Sequence, residues 1–552
     1  MGHKIRKQII FFSSLLKGYY FILFIGMCCL VAVSLLAMPI PNITGDLVDH
    51  LASKPSYSML YKLVMIIALL QLFKAILSLF GKLFLSKFSI ELSNKLRLIM
   101  IQKTINFPMD FLNKKEKGYL MSRISESSNV SNLFSPSMVN MVVGIFDFII
   151  SIIMIFKINL RLSLIVVIIL PIYVILSVYF SRRIKKSVTE MNESSAIMSG
   201  GVFETINAIE EIKMLDLKTI QMSKVDHLSK IVKESILKMN RNLNFYFENF
   251  SFMSAFIGTG ILYFSGILII DNALTIGSYI AFTGYLSRIL GNLQVYSTAG
   301  ITIQPILVSI RRIQEFLGYG DEGDGRDKGL IGSIEKIEFI NVTFNYVDKR
   351  EVIRNFNQTI IKGETILILG SNGSGKSTLI KLLLGLYNPN DGQIMLNDVD
   401  LTKIKLNDLR EKIGVVSQNI HLFKGTILDN ILLGSDDSKL SYLNKLINDY
   451  NLDVFLNFEN KLDTEIGNGG SNLSGGQKQL IGFLRALVLQ KEILILDEPT
   501  SALDTAVKEC VIDIIKNRSI ANITIIISHD PSFYFIDNKI YMNKNFEGMV
   551  AK

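Results

Sequence analysis

GSNGSGKS, from Gly370 to Ser377, is the stretch that decides how the second half of this 552-residue chain folds. It lies between an apolar run, Thr365 to Leu369, and a helical pattern beginning near Lys376. A glycine-rich turn from strand to helix points successive backbone N–H groups at phosphate oxygens, aided by the positive end of the helix dipole. Gly370, Ser371, Asn372, Gly373, Ser374 and Gly375 form that cradle, with Thr378 behind it. Lys376 reaches the outer phosphates, and the Ser377 hydroxyl is placed to hold Mg²⁺. A second glycine motif, LSGGQ from Leu473 to Gln477, lets another backbone approach a phosphate closely. Together they point to a chain that runs on ATP.

A glycine-rich turn alone can be purely structural, and the rest of the region argues against that reading. ILILDEP, Ile493 to Pro499, reads as a buried strand ending in two carboxylates. Asp497 suits a Mg²⁺ ligand, and Glu498 suits a general base for an attacking water. SALD follows, ending at Asp504, and His529 comes just after the apolar run Ile523 to Ile527. A lone histidine beside a strand is more often structural, but its place after the nucleotide motifs favours contact with the γ-phosphate.

The first 300 or so residues have a different chemistry. Hydrophobic residues make up 49% of the chain and charged ones only 19%, a balance that fits a membrane protein carrying a soluble module. Six apolar segments are of bilayer-spanning length: Tyr19–Ile40, Met59–Gly81, Pro136–Phe156, Leu160–Phe180, Phe250–Asp271 and Ile276–Ser297. The segment from Lys82 to Ser135 carries nine Lys/Arg against four Asp/Glu, and that after the fourth span opens with Arg182, Arg183, Lys185 and Lys186. The positive-inside rule puts these segments, the basic N-terminus and the ATP module in the cytoplasm. The net charge of +9 is thereby explained without nucleic acid. MGHKIRKQIIFFSSLLKGYY reads as a retained interfacial helix, and Cys28, Cys29 and Cys510 give neither a disulfide framework nor metal spacing.

The predicted architecture is an all-α six-helix transmembrane domain over 1–317, a Gly/Asp-rich linker at 318–329, and an α/β P-loop NTPase domain over 330–552. With these motifs in place, the chain resembles the ATP-binding cassette transporters, specifically the exporter-type half-transporter with membrane and ATPase domains fused. The resemblance implies that Tyr346 stacks on adenine and that Gln418 contacts Mg²⁺ and senses the membrane domain. It implies that Ser474, Gly475 and Gly476, followed by Gln477, contact the γ-phosphate of ATP held by another subunit. FPMDFLNKKEKGYLMSR, Phe107 to Arg123, is similar to the family's first coupling loop, and Glu204 to Lys213 to its second. One departure is Asn468, in TEIGNGG, where the family usually carries Glu.

If the signature serves a neighbour's ATP, a second half-transporter is required. Lys376, Gln418, Ser474, Glu498 and His529 are all present in one chain, which favours a homodimer, with a heterodimer open. The expected activity is ATP-driven export by alternating access across the plasma or inner membrane of a bacterium. A peptide or antimicrobial natural product is the leading cargo. A lipid or multidrug exporter is the alternative, and an exporter-shaped importer of a metal chelate a third. Within the spans, Asp147 and Arg288 lie at similar depth and are expected either to pair or to face the path, with Lys74 a poorer match.

Overall fold

The computed structural model describes all residues except 1–17, 54, 116, 330–331, 347–351, 435–436, 451, 453–459, 518–519, 543–547 and 551–552. The expected interfacial helix at the N-terminus falls mostly on residues 1–17 and lies outside the described residues. Two compact units emerge: 1–104 with 117–318, and 105–116 with 319–552. The segment 105–116 therefore belongs with the nucleotide-binding region, although a cut near residue 317 would assign it to the membrane part.

The first unit is helical. Its elements are α1 (Tyr20–Ala37), α2 (Ile40–Ser53) and α3 (Tyr57–Ile105). After α4 (Met109–Lys114), which belongs to the second unit, come α5 (Lys117–Ser131), α6 (Pro136–Ile158), α7 (Leu160–Asn207), α8 (Ile209–Met214), α9 (Lys218–Ile270) and α10 (Ile276–Leu317). The first expected span is shared between α1 and α2; each of the others lies on one helix, and four of these, α3, α7, α9 and α10, run far beyond it. At 1.5 Å per residue, the 49 residues of α3 cover about 73 Å, more than twice a hydrocarbon core of about 30 Å. Among the described residues, five helical stretches are long and apolar enough to cross a membrane. The α10 helix, host of the sixth expected span, is not among them, because Gly277, Ser278, Thr283, Ser287 and Arg288 dilute its apolar run.

The first span is broken between α1 and α2 for a reason written in its prolines. Pro39 and Pro41 have no N–H, so the carbonyls of Leu35 and Ala37 lose their intrahelical donors. Met38 N–H takes the Leu35 carbonyl at 3.3 Å. The α10 helix supplies the rest: Arg288 Nη2 donates to the Ala37 carbonyl at 2.8 Å, and the Tyr285 hydroxyl to that of Met38 at 2.6 Å. About two turns nearer the start of α10 than Tyr285, a Cβ on Gly277 would sit 2.0 Å from the Gly45 carbonyl oxygen, so only glycine permits that approach.

The second unit is an α/β fold with two main sheets. The antiparallel sheet has the order β2 (Ile353–Ile361), β1 (Lys336–Phe344), β4 (Asp391–Leu396), β5 (Val399–Asp400). The other has the order β12 (Gly548–Val550), β11 (Lys539–Met542), β3 (Thr365–Gly370), β10 (Ile523–Ile527), β9 (Ile493–Asp497), β6 (Ile413–Val416), parallel except for β12. A short ladder joins β7 (Gly425–Thr426) to β8 (Glu465–Ile466). Every residue of β9 and β10 is buried, as expected of parallel strands covered on both faces. The covering helices include α11 (Lys376–Leu383), α12 (Leu406–Lys412), α13 (Ile427–Leu432), α14 (Asp437–Asp449), α15 (Gly475–Val488) and α16 (Thr505–Asn517).

Candidate nucleotide site

Four neighbouring strands, β3, β10, β9 and β6, end along one edge of the parallel sheet. Their carboxyl ends lead into Gly370, Ser528–His529, Asp497–Glu498 and Ser417–Gln418 respectively. Ligands of open α/β sheets bind at this edge. The sequence-predicted groups are scattered over some 160 residues, and the topology gathers them here.

The loop after β3 is built by glycines whose backbones need positive φ: 154° at Gly370, 81° at Gly373 and 97° at Gly375. A Cβ on Gly370 would stand 2.3 Å from the Met542 carbonyl oxygen. Lys376 opens α11 and is buried. Its ammonium donates to the loop carbonyls of Gly370 and Ser371, the latter at 3.1 Å, and lies 3.2 Å from Nε2 of His529. Burial pushes the Lys376 pKa down, and the carboxylates of Glu498 and Asp497 pull it back only in part. The Ser374 hydroxyl is buried in the same loop with no hydrogen-bond partner, while Ser371 and Asn372 are exposed. A buried hydroxyl without a partner beside a desolvated ammonium fits a polyanionic ligand.

Across the edge, the Ser377 hydroxyl donates to Asp497 Oδ2 at 3.2 Å. Burial pushes the Asp497 carboxyl above its ordinary range, against the opposing hydrogen bond from Ser377. No group of three or more His, Cys, Asp or Glu gathers for a metal among the described residues. One hydroxyl beside one carboxylate suits Mg²⁺, which takes few protein ligands and completes its shell with phosphate and water. Gln418 Nε2 donates to Glu498 Oε2 at 2.9 Å. Glu498 itself adopts φ 51°, unusual for a residue with a side chain, and its N–H donates to the Ile527 carbonyl at 2.8 Å.

Two residues that sequence motifs did not single out hold this edge together. Gln479 is buried on α15, and its Nε2 donates to the Glu498 carbonyl at 2.5 Å while its Oε1 accepts from Ala502 N–H at 2.7 Å. Arg485, one and a half turns on, donates to the carbonyls of Asn430 at 2.7 Å and His421 at 3.2 Å. A glutamine two residues past LSGGQ and an arginine eight residues past it carry no pattern of their own. A third group lies behind His529. Although burial opposes it, the Lys508 ammonium 2.6 Å away, the Ser532 N–H and the Thr500 hydroxyl hold the Asp530 carboxyl at about 2.

The signature begins α15 with a capping box. Ser474 Oγ accepts from Gln477 N–H at 3.2 Å, and Gln477 Oε1 accepts from Ser474 N–H at 2.9 Å. A Cβ on Gly476 would lie 2.9 Å from the Ala502 carbonyl, and Gly475 is also against Ala502. Among the described residues no hydrogen bond joins 474–477 to 370–378 within the chain. Asp504 caps α16 by accepting from Val507 N–H at 3.0 Å. Asn468 starts a short 3-10 turn, and its side chain lies outside the described residues.

Tyr346 packs edge-on against Phe344 and Tyr387, with centroids 5.0 and 5.3 Å away, and its hydroxyl is 3.2 Å from that of Thr378. In the same unit Phe107 meets Tyr319 edge-on and Phe111 meets it at a tilt, and Asn113 Nδ2 donates to the Tyr387 hydroxyl.

In the helical unit Asp147 and Arg288 are paired. Arg288 Nη1 is 3.0 Å from Asp147 Oδ1, and Asn292 Nδ2 donates to Oδ2 at 3.0 Å. Asn292 and the Ala37 carbonyl are partners the sequence did not reveal.

Comparison with known proteins agrees with this geometry. Residues 23–293 match the ABC transporter transmembrane region and residues 353–501 the ABC transporter family. The lactococcin-A transport/processing ATP-binding protein of Lactococcus lactis subsp. lactis is 28% identical over 469 residues, 84% of this chain and 65% of that protein. A transport/processing ATP-binding protein of Streptococcus pneumoniae is 26% identical over 509 residues, covering 88% and 69%. The ATP-dependent lipid A-core flippase of Photorhabdus laumondii subsp. laumondii is 27% identical over 502 residues, covering 88% and 85%. This chain thus spans just under two thirds of the length of the first of these relatives. The chain belongs to the ATP-binding cassette transporters, with the family's transmembrane and ATP-binding regions fused in one polypeptide.

Proposed function

We infer that the protein is an ATP-driven exporter of the bacterial cell membrane, working as a dimer, with its N-terminus and ATPase unit in the cytoplasm. The observation that carries this reading is the gathering of Lys376, the Ser377–Asp497 pair and the Gln418–Glu498 pair along one sheet edge, in a chain whose other unit is long apolar helices.

With ATP bound, its phosphates replace the Gly370 and Ser371 carbonyls as acceptors for Lys376, and the backbone N–H groups of 371–377 and the Ser374 hydroxyl complete the cradle. Tyr346 offers its ring to adenine. Ser377 and Asp497 would hold Mg²⁺, which supplies neutralisation of the phosphate charge, and Gln418 stands beside them. Glu498 takes the proton of the attacking water, and His529 addresses the γ-phosphate. The pattern of contacts leaves Ser474, Gly475, Gly476 and Gln477 for ATP held by the partner subunit, with Asp504 near that seam. A homodimer is favoured because one chain carries the complete set. ATP binding draws two cassettes together, and hydrolysis releases them to reset the spans.

For cargo we favour a peptide or antimicrobial natural product, in line with the lactococcin-A transport named for one relative. A lipid is the second reading, supported by the lipid A-core flippase relative, which this chain covers over 85% of its length. The test is Glu498→Gln in full-length protein in nanodiscs. ATP should still bind while turnover falls at least about a hundredfold, the usual contribution of a general base. Turnover at the wild-type rate would remove Glu498 from its role.

A further inference from the structure

The helical unit has an open cavity of about 500 Å³ between α5, α7 and α10, within the range that holds small ligands. Its lining runs over 126–129, 185–196 and 304–312. Those positions lie roughly one to four helical turns beyond the expected spans, all on the side assigned to the cytoplasm. Cargo arriving from the cytoplasm would meet them before the hydrocarbon region.

Glu126 borders this cavity and is only 6% exposed. Its Oε1 accepts from Arg123 at 2.6 Å and from Arg312 at 3.0 Å. Its Oε2 is buried and has no hydrogen-bond partner. A carboxylate oxygen can accept two hydrogen bonds, so an unused acceptor lies just beneath the wall of a cleft lined by both polar and apolar side chains. Glu193 and Lys185 also line the cavity and form no ion pair among the described residues. Asn129 and Gln304 add amides. An acyl chain placed here would desolvate Lys185, Glu193 and Gln304 without pairing them, whereas Asn129 already donates to the Ser309 hydroxyl at 3.3 Å. A chain bearing N–H donors and positive charge would satisfy them.

We propose that this cavity is a binding subsite for a cationic segment of a peptide cargo, whose ammonium or guanidinium donates to Oε2 of Glu126. The assignment rests on the peptide-export reading. Lys185 and Arg312 meet the peptide's carbonyls or carboxylates, which makes the site selective for a peptide over a simple cation.

The chain contains no tryptophan, so it adds no tryptophan signal of its own to that of a tryptophan-bearing probe. Full-length protein in nanodiscs is titrated with acetyl-Trp-Lys-Gly-Lys-amide and with its neutral analogue carrying Gln for Lys, read by fluorescence anisotropy. Wild type should bind the Lys peptide at least tenfold more tightly than the Gln peptide. Glu126→Gln should remove about tenfold of that affinity, ~1.4 kcal/mol. Glu190→Gln takes a carboxylate from α7 at a residue paired with Lys238 outside the cavity, and should change nothing. If Glu126→Gln is not monodisperse, Glu193→Gln is read in its place, with about a threefold loss expected. An unchanged affinity in the cavity variant, or an equal loss in Glu190→Gln, overturns the subsite and leaves peptide export standing. A wild type that binds neither peptide, while lipid stimulates its ATPase, overturns both.

Discussion

Replacing Gln479 by leucine tests whether the geometry of Glu498 is imposed from α15. The side chain is buried, and leucine nearly matches its volume, so packing should survive while the polar contacts go. Three are lost: to the Glu498 carbonyl at 2.5 Å, the Ser501 hydroxyl at 3.3 Å and the Ala502 N–H at 2.7 Å. Water can reach Ala502, and the Glu498 carbonyl keeps the Ser501 hydroxyl at 3.2 Å, so the stability cost sits low in the usual range, about 1–2 kcal/mol in all. The effect on rate should be larger. Glu498 is held at φ 51°, a conformation that costs about 1–3 kcal/mol and persists only while its surroundings enforce it. Loss of that enforcement should raise the barrier by about 1.4–2.8 kcal/mol, a tenfold to hundredfold fall in kcat. ATP affinity should stay within threefold, because Lys376 and the loop at 370–375 are untouched. Steady-state ATPase in nanodiscs and a fluorescent ATP analogue give both numbers, and Ser501→Ala, which removes the other side-chain donor, should deepen the defect. If kcat stays within twofold of wild type, Gln479 is packing and the argument from Glu498's backbone is wrong.

Asp147→Asn should cost about 3 kcal/mol, since it leaves Arg288 uncompensated among helices, whereas Asp147→Leu with Arg288→Leu should recover much of the monodisperse yield. Equal yields for single and double variants would refute the pairing argument. The Asp530 carboxyl is depressed from 3.8 to about 2, so it adds on the order of 2 kcal/mol of stability above pH 4, and that is lost as pH falls through the folded value. The thermal-stability gap between wild type and Asp530→Asn should shrink by about half between pH 6 and pH 3, and a gap that widens would sink the assignment. Tyr387→Phe deletes the acceptor of Asn113, a hydrogen bond worth about 1 kcal/mol, and should slow ATP turnover about threefold to tenfold with nucleotide affinity within twofold. Unchanged turnover would show that segment 105–116 does not act through this tyrosine.

The nucleotide edge was legible because phosphate chemistry forces particular residue types into short spacings. Gly370, Gly373 and Gly375 need positive φ, and the runs at 365–369, 493–497 and 523–527 are apolar because both their faces are covered. The match in depth of Asp147 and Arg288 could be counted along two helices. Other features depend on long-range geometry with no local signature. The polar segments after the second and fourth spans read as helical by pattern, but no local signal shows that α3, α7 and α9 run between apolar and polar stretches without a break. Gln479 and Arg485 escaped because their partners are main-chain carbonyls, and any sequence supplies a carbonyl. The Ala37 carbonyl, which Pro41 leaves without an intrahelical donor, accepts from Arg288, a link that exists once two distant helices meet.

The same logic joins Tyr346 to a segment more than 200 residues earlier. Asn113 donates to the Tyr387 hydroxyl, the Tyr387 ring meets Tyr346 at 89°, and the Tyr346 hydroxyl meets Thr378 on α11, two residues past Lys376. Each contact alone is ordinary. In series they place the ring proposed to receive adenine between the P-loop helix and the segment 105–116. A ligand that shifts the Tyr346 ring as it stacks disturbs its bond to Thr378 or its packing on Tyr387, and only the second reaches Asn113. Coupling through this route therefore requires the Tyr387 ring to shift when ATP binds. The Thr378 bond is the alternative release, and it would leave residues 105–116 unmoved.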